Sequence, residues 1–197
     1  MAGAFGFYGK IPALGDFMRG GTISRAFVTA WDPFLQAGFL ASRAALGDDW
    51  AETYQTAPIW RFSLGAGVID GGPYTGVMMP SQDAVGRVFP LTLVVASAPP
   101  RGGLDTRDYY LPIEDAALNM LDSLRGKIDL ENAILNLETP DITTETPDNL
   151  SEWLSAPDEG YGQPLGLSHA GLPSETSFQT LLTQDVSTWS GSVTKGQ

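Results

Sequence analysis

The chain holds one histidine, His169, and no cysteine. Disulfides, thiolate nucleophiles and multi-histidine metal sites are therefore excluded by composition. His169 stands in Gly166-Leu167-Ser168-His169-Ala170, which lacks the closing glycine of a nucleophile elbow. A small hydrolase using His169 with Ser168, or using Ser81, is the enzymatic reading that remains; a histidine on the surface or beside a helix is the plainer one. Gly6-Phe7-Tyr8-Gly9-Lys10-Ile11 fails as a phosphate loop. The first glycine falls at Ala4, and Ile11 stands where a magnesium-binding Ser or Thr belongs. No spacing of Asp, Asn and Glu fits a calcium loop. No cofactor and no metal are expected.

What remains is a set of charged and hydroxyl residues among apolar runs: Lys10, Asp16, Arg61, Ser81, Asp83 and Arg87. Lys10 lies in the first apolar stretch and Asp16 follows it. Arg61 opens a later strand, and Ser81, Asp83 and Arg87 share the loop 80–87. Charges in such settings need partners, and Asp83 and Arg87 are spaced to pair and so to restrain that loop. The loop is then either a structural clasp or a recognition point. No nucleophile-and-base pair accompanies Asp16, Arg61, Asp83 and Arg87, so no catalysis is expected of these four.

The elements that must carry them follow from periodicity. Phe5 to Ile11 reads as a first strand, turning at 12–16. A helix starts near Thr22 with Ile23, Phe27 and Trp31 on one face. Asp32-Pro33 breaks it, Asp as N-cap and Pro at the first helical position opening a second helix that Gly47 ends. Strands are expected at 60–66, 74–79 and 88–97, antiparallel because the connections are short. The last is apolar on both faces and so covered on both. The second half reads as mainly helical. One helix carries Ile113, Ala117, Leu121 and Leu124 inward and closes at Gly126; another is capped by Asp129. Asp148 caps a short helix through Leu154, and Ser174 opens one with Phe178, Leu181 and Leu182 inward. The stretch 138–147 is the best linker, and the tail from 185 reads as weakly ordered.

Length and composition bound the whole. At 197 residues with 43% hydrophobic content, including 5 Trp, 9 Phe and 6 Tyr, the chain has ample core for one domain. Net charge is −12 and the pI is about 4.2, which argues against nucleic acid and anionic membranes as partners. The imbalance sits in the second half: residues 101–197 carry five basic and sixteen acidic groups. That half is a solvated acidic face or a surface steering a basic protein. Lys10 lies inside the early apolar stretch, unlike the basic start of a signal peptide. The run 88–100 is shorter than the roughly 20 residues a membrane span needs. The expected address is the cytoplasm.

Gly6-Phe7-Tyr8-Gly9-Lys10-Ile11-Pro12, Gly15-Asp16-Phe17 and Phe27 with Trp31-Asp32 resemble the opening of the TagF/ImpM family, accessory proteins of bacterial type VI secretion. The likeness continues through Trp50, Tyr54, Ala57-Pro58-Ile59-Trp60-Arg61-Phe62 and Gly76-Val77-Met78-Met79-Pro80-Ser81. It extends over Asp83, Val85-Gly86-Arg87 and Phe89-Pro90-Leu91-Thr92-Leu93, then thins to Gly171-Leu172-Pro173, Phe178 and Leu181-Leu182. Pro33 departs from the family pattern, and the Trp-rich word before the final Gly-Leu-Pro is replaced by Pro164-Leu165-Gly166-Leu167.

The resemblance implies regulation: post-translational repression of secretion, in some members through a forkhead-associated scaffold protein. Residues and resemblance together lead to one expectation. It is an α+β fold, a single TagF-like domain over 1–184 with a tail at 185–197. A mainly antiparallel sheet is flanked by helices, an α/β/α sandwich being one form of it. The protein is expected to bind protein partners, with no small-molecule substrate and no membrane insertion. Ser81, Asp83, Arg87, Lys10, Asp16 and Arg61 are the partner-binding or loop-organising candidates. A small hydrolase and a passive structural subunit of the apparatus are the alternatives.

Overall fold

The structure, a computed structural model, describes residues 4–156 and 163–195. The apolar runs between Gly and Pro become strands β1 (Phe5–Gly9), β2 (Met18–Gly21), β3 (Trp60–Leu64), β4 (Tyr74–Met79), β5 (Leu91–Val95), β6 (Leu150–Ser155), β7 (Leu165–Ala170) and β8 (Ser192–Lys195). They form one antiparallel sheet in the order β2-β1-β5-β4-β3-β6-β7-β8. Every residue of β3, β4 and β5 is buried, as expected of strands covered on both faces.

The two faces are read off the period-2 alternation. Tyr8, Phe62, Met78 and Val94 turn to one side, where α1 (Arg25–Leu46), α2 (Trp50–Gln55) and α5 (Phe178–Thr183) pack around Trp31, Trp60 and Trp153. Phe7, Val77, Leu93 and Val95 turn to the other, against Tyr110, Ile113 and Ala117 of α3 (Arg107–Leu118) and Leu130 and Ile134 of α4 (Lys127–Leu135). The fold is a single α+β domain, its sheet sandwiched between helices.

Several local expectations give way to tertiary packing. The helix expected to break at Pro33 runs on for 22 residues with Pro33 inside it. It begins at Arg25, where the N-cap Ser24 Oγ accepts from the Phe27 N–H at 3.0 Å. A proline inside a helix costs about 3 kcal/mol. Burial of Trp31, Leu35 and Phe39 against the sheet at roughly 1.5–3 kcal/mol each outweighs that, and Trp31 Nε1 adds a hydrogen bond to Thr92 Oγ1 at 3.0 Å. Gly47 ends α1 at φ +56, its N–H donating to the Arg43 carbonyl.

The helix expected from Asp148 is instead β6. Asn149 turns at φ +58 and Leu150–Ser155 pairs with β3 on one side and β7 on the other. The local capping signal loses to two ladders and the burial of Trp153. α3 stops at Leu118 and a 3-10 turn reaches Leu121, so Leu121 and Leu124 face solvent and not the core. Gly126 opens α4 and does not close α3; Asp129 reaches back to its N–H at 2.7 Å. After Thr183 the chain makes a 3-10 turn at Val186–Thr188, buries Trp189 and pairs as β8 with β7.

Candidate functional site

Two loops meet at one end of the sheet, and a single carboxylate joins them. β1 closes on Gly9 at φ +142, a conformation that suits glycine, and delivers Lys10 into the β1–β2 loop. β4 runs out at Met79 and the loop 80–90 returns the chain to β5. Asp83, 2% exposed, sits between them. Its Oδ2 accepts from Lys10 Nζ at 2.8 Å and from Arg87 Nε at 2.7 Å. Its Oδ1 accepts from the backbone N–H of Val85 at 3.0 Å and of Arg87 at 2.9 Å.

The rest of the arrangement locks the same two loops. The Arg87 guanidinium also donates to the Gly15 carbonyl, and the Ala84 N–H donates to the Leu14 carbonyl at 2.9 Å. Ser81 Oγ donates to the Lys10 carbonyl at 2.8 Å. The buried Tyr54 hydroxyl of α2 both donates to the Ser81 carbonyl and accepts from its N–H. Lys10 Nζ lies 4.7 Å from the Phe17 ring centre, and Phe17 meets Phe89 edge-on at 4.6 Å.

Burial disfavours a charged Asp83. The hydrogen bonds from Lys10, from the Arg87 backbone and guanidinium and from the Val85 N–H outweigh it and hold the carboxyl far below the ordinary carboxylate range. With four donors on two oxygens, Asp83 is fully engaged and unsuited to taking a proton from a substrate. The group instead presents a fixed surface: Arg87, its side chain 61% exposed, beside the exposed Phe17, Val85 and Asp16.

Of the candidate residues, the fold thus gathers Lys10, Ser81, Asp83 and Arg87, with Asp16 at the rim. Arg61 is elsewhere. It lies buried on β3, bonded through Nε and a terminal nitrogen to both oxygens of Glu114 on α3 at 2.6 and 3.3 Å, and through the other to the Leu104 carbonyl at 3.0 Å. That pair ties a helix to the sheet. Glu114, Phe17, Gly15 and Tyr54 escape sequence reading because their roles depend on partners far along the chain, up to 72 residues away for Gly15 and Arg87.

The histidine has a different partner from those expected. Ser168 and His169 are successive strand residues, so their side chains point to opposite faces. His169 Nε2 is 3.0 Å from Ser190 Oγ, beside β8, and Ser190 Oγ is 2.9 Å from Ser177 Oγ. His169 Nδ1 is buried and makes no hydrogen bond among the described residues. The ring packs edge-on against Trp189.

A family model described as the TagF N-terminal domain, type VI secretion system-associated, matches residues 6–137. That span runs from β1 past the end of α4 and contains both clasped loops. The chain is also similar to PA0076 from Pseudomonas aeruginosa PAO1. The match to that crystal structure has a TM-score of 0.79 and 29% identity over 92% of this chain and 94% of that one. Among curated proteins, none matches.

Proposed function

The chain belongs to the TagF family of type VI secretion system-associated proteins, and on that premise we propose that it represses secretion after translation by binding a component of the apparatus. In this reading the partner is a scaffold protein of the forkhead-associated type, met in the cytoplasm, and the contact holds the machine unassembled. The observation that carries the reading is the Asp83 clasp. Two loops distant in sequence are pinned by one buried carboxylate, leaving Arg87, Phe17 and Val85 displayed in fixed geometry. A preorganised aromatic and arginine pair is the composition of a binding hot spot. No described helix is long and apolar enough to cross a membrane.

Deleting the gene is expected to raise effector release. Restoring it as Arg87→Ala, at unchanged melting temperature, is expected to leave release high. Full repression by that folded variant assigns the loop to structure alone.

A hydrolase acting through His169 is the second reading, favoured by the 3.0 Å contact of its Nε2 with Ser190 Oγ. Against it, no described carboxylate or carbonyl orients Nδ1, the role a third group fills in serine hydrolases. Purified protein is expected to turn over neither generic esters nor phosphate esters. Turnover that His169→Ala abolishes would reverse the assignment.

A further inference from the structure

Twelve large apolar side chains are exposed among the described residues, and six of them fall between 111 and 135. That is too concentrated for the scattered exposure ordinary on a protein surface. They are Leu111 and Leu118 on α3, Leu121 and Leu124 in the connection, and Ile128 and Leu135 on α4; Leu124 is 89% and Ile128 71% exposed. Each helix therefore has two apolar faces. The inner ones, Tyr110, Ile113 and Ala117 on α3 and Leu130 and Ile134 on α4, meet in one buried cluster where the two helices pack together, and the outer ones are left exposed. The outer pairs are seven residues apart, two turns along one face of each helix.

Acidic groups sit in these stripes. Asp115 lies between Leu111 and Leu118, and Glu131 between Ile128 and Leu135. Arg125 is held by Asp122 at 4.0 Å and Lys127 by Glu131 at 3.6 Å. Asp108 and Asp115 on α3 have no cationic partner among the described residues and outnumber Arg107, the one cation of α3 and α4 outside an ion pair.

We propose that the outer face of α3 and α4 docks a basic amphipathic helix of a partner protein. Charge selects that occupant. A second copy brings the same −12 and the same acidic stripes, and an anionic lipid surface is repelled for the same reason. An apolar stripe laid over two neighbouring helices matches the helix-in-groove mode of recognition. The 12 residues of α3 give it a length of about 18 Å. This inference rests on reading the chain as a docking protein but is independent of the Asp83 clasp.

The test titrates the full chain against a labelled peptide of about 18 residues, leucine and lysine patterned as an amphipathic helix, by fluorescence anisotropy at about 0.15 M salt. The same composition in scrambled order is the control. The patterned peptide is expected to bind at least about tenfold tighter than the scrambled one. Leu124→Ser with Ile128→Ser is expected to weaken it about tenfold at unchanged melting temperature, since both positions are exposed. Asp115→Lys should weaken it likewise, and Arg87→Ala should leave it intact. Equal affinity for both peptides, or equal affinity of the parent and the double serine variant, overturns the proposal. So does a dimer of the parent that the serine variant dissolves in sedimentation, because the occupant is then a second copy.

Discussion

Asp83 carries two cationic donors on one oxygen and two backbone N–H groups on the other, so its charge is a condition of the loop geometry. In the unfolded chain such a carboxyl titrates near about 3.9; in the fold it titrates far lower. As pH falls, the unfolded state takes up this proton first. The stabilisation from Asp83 is therefore complete at neutral pH and erodes from about pH 5 downward into strong acid. Urea melts from neutral pH to about pH 3 should show Asp83→Asn clearly less stable than the parent at neutrality, the gap narrowing with acid. A gap that does not change with pH would uncouple the carboxylate from stability. The Asp83–Arg87 half of this group was legible, since the two stand four positions apart in one loop. The Lys10 half was not, because nothing in a sequence says that a β1–β2 loop lies under a β4–β5 loop.

Among the elements, α1 shows most clearly where local reading and packing diverge. Its sequence carries a break signal at Asp32-Pro33 and a continuous apolar stripe from Phe27 through Trp31 and Leu35 to Phe39, and the stripe wins. The penalty is still there, because Pro33 is exposed and supplies no N–H to its turn. Pro33→Ala should thus stabilise the protein by about 1–3 kcal/mol in thermal melts, and a loss of stability would mean that the ring has a packing role. The same logic separates the readable strands from the rest. β3, β4 and β5 are apolar runs between Gly and Pro and stand near their expected positions. β2 and β8 are four-residue edge strands rich in Gly, Ser and Thr, held by one neighbour each, with no apolar pattern to betray them. β6 hides behind a capping signal that only its two flanking strands can override.

At the scale of the whole molecule, like charge works against compactness. A net −12 with the excess in the second half means that added salt should relieve self-repulsion. The melting temperature is expected to rise by a few degrees between about 0.02 M and 0.5 M sodium chloride. A fall would show that exposed ion pairs such as Arg125–Asp122 and Lys127–Glu131 lose more to screening than the relief of repulsion returns. The fold class was readable because hydrophobic content, short connections and a two-faced apolar strand all point the same way. The sheet order was not, since it depends on β6 returning to the open side of β3.

That return sets a timetable for biosynthesis. Everything through β5 can assemble once about half the chain has emerged, but the flank of Trp60–Leu64 waits for Leu150–Ser155 to complete it. At roughly 5–20 residues per second, a ribosome needs on the order of 3–12 seconds to go from Val95 to Ser155 and supply that strand. For that interval the nascent half-sheet bears a raw, apolar border, and the cell must shield it from its neighbours.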